Sequence, residues 1–433
     1  MDHTSFPYPH LVHNASLLHQ SAPIVVQLRG EMGNHLSTIA HGIGLQLVAL
    51  QDHNLSTHLI LRHQTVAGAD NQRMQDSPKW EPTRQILQRC FPAMKQWQFA
   101  LGSQWIDFDR RWNHQQTEYT RYLVNANSNN ENVEDPLCQQ KASWWQQSSL
   151  VNGKPMVGHL QGMKEPITDK DIAEGLSAFA NLWRMEQGRN ARENGDDDKR
   201  SPPPFLSTPF LFSDSMDNLK FVTRFLPVFR QIFRTDPSCC GQLRPNPNES
   251  VFHFRNFARE FHVGSSPSDT LPSFEEVTPQ QTANVLFANL QPGDKVAIAS
   301  RFENDPIVNE HVKALQKRGF HVRVVTGSNK SDNQQQNGGM QDFCFLLRAK
   351  KEFIGNFRST FAVWAALLGD AKFAKLYTIK SPGLKKRFGP FVKQFFTGNY
   401  SWDLQEDNGD LESRRKQVRK DLQMKLIPYG KLS

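Results

Sequence analysis

DFCFLLRAKKEFIGNFRSTFAVWAA, residues Asp342–Ala366, reads as a short buried segment, a small polar turn, and then an apolar helix opening at Ser359-Thr360. The first N–H groups of a helix have no partners within it, and its dipole is positive there. A Ser-Thr pair at a helix start is therefore a place where a diphosphate is readily held. The same hydroxyls also serve as plain caps, worth about 1 kcal/mol. Phe361 and Trp364 stand at i and i+3, the spacing of a helix face packed into a core.

Outward from this stretch, strands and helices alternate on both sides. PIVVQL (Pro23–Leu28) is an apolar run suited to a buried parallel strand. A glycine-bearing turn over 29–35 follows, and then Leu36, Ile39, Ala40, Ile43 and Leu47 fall at helical spacing. Further strands are expected at His58–Gln64 and Pro209–Asp214, with helices around Pro82–Cys90, Pro166–Glu186 and Leu219–Phe233. A second series has strands at Ser250–Phe257, Lys295–Phe302 and Phe320–Gly327, and a helix at Pro306–Arg318. A polar loop over Ser328–Met340 leads back to the opening stretch. KLYTIKSPG (Lys375–Gly383) adds a late strand, and Leu411–Gln423 a charged terminal helix. This alternation predicts an α/β protein of two doubly wound Rossmann-like domains facing a cleft. The expected division is a flexible tail over 1–22, an acceptor-side domain over 23–245, a nucleotide-sugar domain over 246–400 and a helical extension over 401–433. Within the first domain, NARENGDDDKRSPPP (190–204) has linker composition, so its Asp196-Asp197-Asp198 run reads as solvated charge rather than a metal site.

A chain of 433 residues suits two domains. The net charge of +8 is dispersed along it, and no nucleic-acid motif accompanies it, so a phosphorylated small ligand is favoured over nucleic acid. The five cysteines, Cys90, Cys138, Cys239, Cys240 and Cys344, have no zinc spacing. Their odd number argues against a complete disulfide framework, with one long-range bridge left open. No apolar run is long enough to span a membrane, and the first twenty residues lack the pattern of a signal peptide. Yet five N-x-S sequons occur, at Asn14, Asn54, Asn248, Asn329 and Asn399. The compartment stays open: the Golgi lumen if the full product has an anchor, the cytoplasm otherwise.

Three groups of residues suit chemistry. Gly30, Gly33 and Asn34 lie in the turn after the first strand, where glycine permits close approach of a ligand, although the pattern is not GxGxxG and equally suits a structural turn. His253 and Arg255 share one face of a strand, followed by Asn256; Arg binds a diphosphate with two parallel hydrogen bonds, and an exposed strand face is the plainer alternative. Asn356, Arg358, Ser359 and Thr360 precede and open the apolar helix.

In order and approximate spacing, the three groups resemble glycosyltransferase family 11, the α-1,2-fucosyltransferases, within the broader fucosyltransferase superfamily. VVQLRGEMGNHL is similar to that family's GG-x-GNQL, VFHFRN to HxRRxD, and the opening stretch to DF…SNSTFSWWAA. The resemblance covers about a fifth of the chain. It implies a GT-B architecture with GDP-fucose as the donor substrate. It implies inversion at the anomeric carbon, no metal or other cofactor, and a glycan or protein-linked acceptor. By position, Arg255 would neutralise the leaving GDP, with His253 in support. Ser359 and Thr360 would bind phosphate, while Gly33 and Asn34 would line the cleft. Departures are specific: Asn256 stands in place of the second Arg, Ala258 in place of the Asp, and Phe357-Arg358 is additional. The alternatives are an inactive relative that binds nucleotide sugar or glycan, or another nucleotide-dependent transferase on a similar scaffold. Arg301 and Arg358 are the candidate substitutes for the missing cation, and Glu31, Asp214 and Glu260 the candidate bases.

Overall fold

In the computed structural model the apolar run near residue 23 forms strand β1 (Ala22–Leu28), and the periodic segment after it forms helix α1 (Met32–His53). The structure describes residues 21–28, 31–63, 65–67, 74–76, 80–95, 98–99, most of 176–188, 206–207, 222–255, 277–301, 305–326, 335–357, 359–377 and 424–427. Residues 1–20 of the expected tail, the 190–204 linker, the strand at 209–214 and the terminal helix at 411–423 lie outside these residues, while Ser21 and Ala22, expected to end the tail, are buried where β1 begins. The chain divides into two compact units, Met1–Gln88 with Ala93–Phe221, and Arg89–Pro92 with Val222–Ser433.

In the first unit β1 pairs in parallel with β2 (Thr57–His63), which pairs with β5 (Gln98–Phe99); β6 (Leu206–Ser207) lies on the other side of β1. A short antiparallel pair, β3 (Thr65–Ala67) and β4 (Met74–Asp76), stands apart, and α2 spans Trp80–Cys90. The five apolar residues whose spacing marks α1 are all fully buried, because a helix laid on a parallel sheet turns one stripe inward. Helix α1 begins at Met32, so the turn expected over 29–35 is shorter than its composition suggests, and Gly33 and Asn34 belong to the first helical turn.

The second unit begins with helix α3 (Val222–Ile232) and continues through strand β7 (Glu249–Phe254) and strand β8 (Lys295–Ser300). Helix α4 (Pro306–Lys317), strand β9 (His321–Val325) and helix α5 (Gln335–Leu347) follow. Strand β10 (Glu352–Asn356), helix α6 (Thr360–Leu368), strand β11 (Phe373–Tyr377) and strand β12 (Met424–Ile427) complete the described part. Its six strands are parallel, in the order β12-β11-β10-β7-β8-β9. Counted along the chain within the unit, that order is 6-5-4-1-2-3. It reverses between β7 and β10, and a doubly wound sheet binds ligands at the carboxyl ends of the strands flanking such a reversal.

Several expectations are corrected here. The polar turn expected between Leu347 and Ser359 contains β10, a central strand buried along its whole length. The loop expected over 328–340 gives way to α5 from Gln335 onward. Strand β7 is buried on both faces rather than half exposed, because its neighbours are β8 and β10 and not solvent. The cysteines form two bridges, Cys90–Cys239 and Cys240–Cys344, so an odd count concealed a paired framework with Cys138 left over.

Two buried carboxylates open the central strands at their amino ends. Glu249 accepts two hydrogen bonds from Arg323, at 2.7 and 2.8 Å, and one from the backbone of Asn246 at 3.0 Å. Burial pushes the Glu249 carboxyl up, but Arg323 and the Asn246 N–H outweigh it and hold the group below the usual carboxylate range. Glu352 pairs with Lys375 at 2.6 Å. The Glu249–Arg323 pair stabilises the sheet above the ordinary carboxylate pKa and loses that contribution as pH falls through the lowered pKa of Glu249.

His311, on α4, is fully buried with neither ring nitrogen hydrogen-bonded among the described residues, and its ring centroid lies 4.7 Å from that of Phe254. Burial lowers its pKa to about 4 against the partial opposition of Asp305. The unfolded chain therefore takes up this proton before the folded one does. Stability contributed by the neutral ring is present above pH 6.5 and is lost toward pH 4. His311→Leu is expected to flatten the stability curve in that window by up to about 1.4 kcal/mol per pH unit, the value for one proton. Denaturant melts at pH 7 and pH 5 measure it; an unchanged difference between the two pH values sinks the assignment.

Candidate functional site

The site residues of the second unit converge on the strand reversal. His253 is the fifth residue of β7 and lies in register with Gly355 of β10 on one side and Ala299 of β8 on the other. Arg255 follows β7 at its carboxyl end and is half-buried. Asn356 ends β10 and is buried. Its carbonyl accepts the N–H of Ser359 at 3.0 Å, and that short turn leads directly into α6. The ends of β7 and β10 and the start of α6 thus form one locus.

Ser359 is the cap of α6: it is fully buried, and its hydroxyl accepts the N–H of Ala362 at 3.3 Å. Its contribution is to hold the helix start in place, the plain capping role weighed above. Thr360, the first residue of the helix, is 8 % exposed. Trp364 is core, packed edge-on to Phe229 of α3 and to Phe233 just after that helix, with centroids 6.0 and 5.2 Å apart. Phe361 instead faces the site, with its ring 5.5 Å from that of His253 and 5.1 Å from that of Phe343 on α5.

His253 is about nine-tenths buried, and its Nδ1 has no hydrogen-bond partner among the described residues. Burial, helped by the Arg255 guanidinium, lowers its pKa to about 3. The ring is neutral at physiological pH, able to give or accept one hydrogen bond but not to act as a cation. Positive potential at this locus comes from Arg255 and from the N-terminal end of α6. A neutral ring, a guanidinium and a helix start together favour an anion with several oxygen acceptors, such as a phosphate ester.

Gly355 permits this arrangement. A Cβ there would stand 2.8 Å from the Cβ of Ala362 and 3.0 Å from the Phe353 ring, so α6 approaches β10 more closely than any side chain allows. Gly355→Ala is expected to cost about 1–3 kcal/mol of stability, the usual cost of overpacking, and to displace the start of α6. Chemical denaturation measures the loss, and a variant as stable as the parent removes the steric argument. Gly355 was not among the sequence candidates; a glycine between two apolar residues and an Asn is its only local signal.

Arg301, the candidate substitute cation, follows β8 at its carboxyl end. Phe254 pairs with Ser300, so Arg255 and Arg301 leave neighbouring strands at the same level. Asn256, Arg358, Asp214 and Glu260 lie outside the described residues, as does Gly30. In the first unit, Gly33 is buried and Asn34 half-buried in the opening turn of α1, just past the carboxyl end of β1. Asn34 accepts the Thr38 hydroxyl on its backbone carbonyl at 2.9 Å. Glu31 is exposed as the N-cap of α1 and makes no capping hydrogen bond with its side chain. Among the described residues no group of three or more His, Cys, Asp or Glu side chains is arranged to hold a metal ion, and no helix is long and apolar enough to cross a membrane.

No family model and no curated protein matches the sequence. Among solved structures, the chain is similar to NodZ α-1,6-fucosyltransferase soaked with GDP-fucose, at 12% identity over 81% of this chain and 93% of that one, with a TM-score of 0.34. It is similar to a mutant of Arabidopsis thaliana FUT1 in complex with GDP, at 12% identity over 88% of this chain and 75% of that one, with a TM-score of 0.38. Fucosyltransferase NodZ from Bradyrhizobium matches at 11% identity over 81% and 93%, with a TM-score of 0.32. Likenesses at this level assign neither a family nor an activity.

Proposed function

We propose that this protein is a GT-B-like, metal-independent, inverting glycosyltransferase that moves fucose from GDP-fucose to a hydroxyl of a glycan or protein-linked acceptor. The observation that carries the reading is the meeting of two motif fragments, His253-x-Arg255 and Asn356 to Thr360, at one strand reversal. These are the segments that resemble the second and third motifs of glycosyltransferase family 11. In the reaction the acceptor oxygen attacks the anomeric carbon, the bond from that carbon to the β-phosphate oxygen breaks, and GDP departs with the electron pair. Arg255 would balance the charge growing on the β-phosphate, and the N–H groups at the start of α6 would do the same from the helix side. His253, being neutral, would donate or accept a single hydrogen bond to the diphosphate or the sugar. Gly33 and Asn34 would serve the acceptor side.

Two bridges, Cys90–Cys239 and Cys240–Cys344, favour an oxidising compartment, and we place the protein in the secretory pathway, with the Golgi lumen the natural site for such a transfer. A second reading, a nucleotide-sugar or glycan binder without transfer, is favoured by one specific feature: Asn256 occupies the place of the second arginine. Arg301 answers it, since it reaches the same level from β8. Arg301→Ala is expected to weaken GDP binding by about 10- to 100-fold, the loss of one charged hydrogen bond. Titration calorimetry measures it, and unchanged affinity removes Arg301 from the site.

Thermal stabilisation by GDP, ADP and UDP, with and without EDTA, tests the donor. Selective stabilisation by GDP that persists in EDTA supports the proposal. No shift with GDP, or a shift with adenine nucleotides alone, overturns it.

A further inference from the structure

We infer that Asn54 is a site of N-linked glycosylation, placed at the end of the first unit's sheet opposite Gly33 and Asn34. The sequon is Asn54-Leu55-Ser56. Asn54 terminates α1 in the left-handed conformation, with φ 47° and ψ 41°, and its backbone N–H closes the helix on the carbonyl of Ala49. Asn54 and Ser56 are exposed while Leu55 between them is buried at 4 % exposure, so the segment is pinned with its two sequon side chains facing outward. Neither the Asn54 amide nor the Ser56 hydroxyl makes a hydrogen bond with the described residues. The other sequon within the described residues differs. At Asn248-Glu249-Ser250 the asparagine is exposed, but Glu249 is held by Arg323 and Ser250 is fully buried in β7.

The position explains the tolerance. Asn54 precedes β2 at its amino end, as Ala22↔Thr57 pairing shows, whereas Asn34 follows β1 at its carboxyl end. The twenty residues of α1 separating them span about 30 Å at 1.5 Å per residue. A glycan at Asn54 therefore stands at the end of the first unit's sheet opposite the residues proposed to serve the acceptor.

The donor required is an oligosaccharide on a lipid pyrophosphate. The Asn54 amide nitrogen attacks the anomeric carbon, and an N-glycosidic bond forms. The bond from that carbon to the pyrophosphate oxygen breaks, the pyrophosphate leaves with the electron pair, and the amide proton passes to a base of the modifying enzyme. An asparagine in the left-handed region has its own structural reason to be there, since only glycine tolerates that conformation better. Replacing Asn54 would therefore confound loss of the glycan with loss of the helix cap. Ser56→Ala removes the sequon and leaves the cap intact.

The inference rests on the secretory placement proposed above, and the test separates the two. The full chain is directed into the lumen of the endoplasmic reticulum by an added cleavable leader. In the lumen, wild type is expected to carry one more glycan released by peptide N-glycosidase than Ser56→Ala, with Asn54 converted to Asp by that hydrolysis. Ser56→Thr is expected to restore occupancy. An unmodified Asn54 peptide from lumenal chain whose two disulfides have formed overturns the site. Lumenal chain glycosylated at Asn54 but carrying free thiols in place of the two bridges supports the site and counts against the oxidising compartment alone.

Discussion

Arg255→Ala is expected to lower turnover by about 10²- to 10³-fold, the effect of removing one group that stabilises charge developing in a transition state. The guanidinium is half-buried at the carboxyl end of β7, beside a histidine that cannot share the work because burial keeps it neutral. Loss of Arg255 would leave the helix start of α6 and Arg301 to meet the departing diphosphate. Arg255→Lys keeps the charge and loses the planar fork, so it should retain binding better than turnover. Both variants should melt as wild type does, since β7 is anchored at its other end by Glu249 and Arg323. The measurement is kcat and KM for the sugar donor with the GDP-induced thermal shift alongside. Arg255→Ala retaining both turnover and the shift would remove Arg255 from the site, and with it the transferase reading. The rate should show no inflection between pH 5 and 8 from His253, whose pKa of about 3 keeps its protonation constant there.

What was legible in the chain and what was not follows from how local each determinant is. Strands β1, β8 and β9 and helices α1 and α4 announce themselves because an apolar run or stripe lies between strong punctuation, such as Gly319 after α4, where φ is +83°. Strand β10 does not. Its five residues, EFIGN, begin with a carboxylate and end with an amide, after two lysines, and locally this is a polar turn. Glu352 is buried only because Lys375 arrives from the neighbouring strand, a partner 23 residues away that no window on the sequence contains. The same holds for the site. His253 and Arg255 were legible as a pair sharing a face, and Ser359 as a helix opening, but their adjacency depends on β10 lying beside β7. That adjacency is a property of strand order. It also buries the face of β7 that alternation alone would have left to solvent, and so turns His253 from a titrating group into a neutral one. Gly355 was missed for a related reason: its requirement comes from Ala362, seven residues on, where α6 crosses back over the strand.

The bridges were equally hidden, and removing one is expected to be the most damaging structural change in the second unit. Cys239 and Cys240 are adjacent in a 3-10 turn (Pro237–Cys240) capped by Asp236, whose side chain accepts the Ser238 N–H at 2.8 Å. One reaches back 149 residues to Cys90 at the end of α2, and the other forward 104 residues to Cys344 on α5. Closing a loop of about 100 residues in the unfolded chain is worth about 4.7 kcal/mol in the chain-entropy account, and removal of native bridges costs about 2–5 kcal/mol. The double variant Cys240→Ala, Cys344→Ala should lose stability in that range, alanine being chosen so that no hydroxyl is buried in place of the sulfur. Its consequence should extend to the site. Phe343, beside Cys344, packs against Phe361, which in turn packs against His253. Freeing α5 therefore loosens the wall that fixes the histidine and the start of α6, and GDP affinity should fall with stability. The double variant Cys90→Ala, Cys239→Ala should lose comparable stability with a smaller loss of GDP affinity, because its route, from Phe91 beside Cys90 through Phe233, reaches α6 at Trp364, a turn past the helix start, and does not touch His253. Equal loss of affinity in both variants would mean that the bridges act only through global stability. A melting curve unchanged in either would show that its bridge does not form, and thiol titration of the unfolded, unreduced chain decides that point independently. The contrast between the two variants therefore weighs the path from Cys344 through Phe343 and Phe361 to His253 against the path from Cys90 through Phe91 and Phe233 to Trp364.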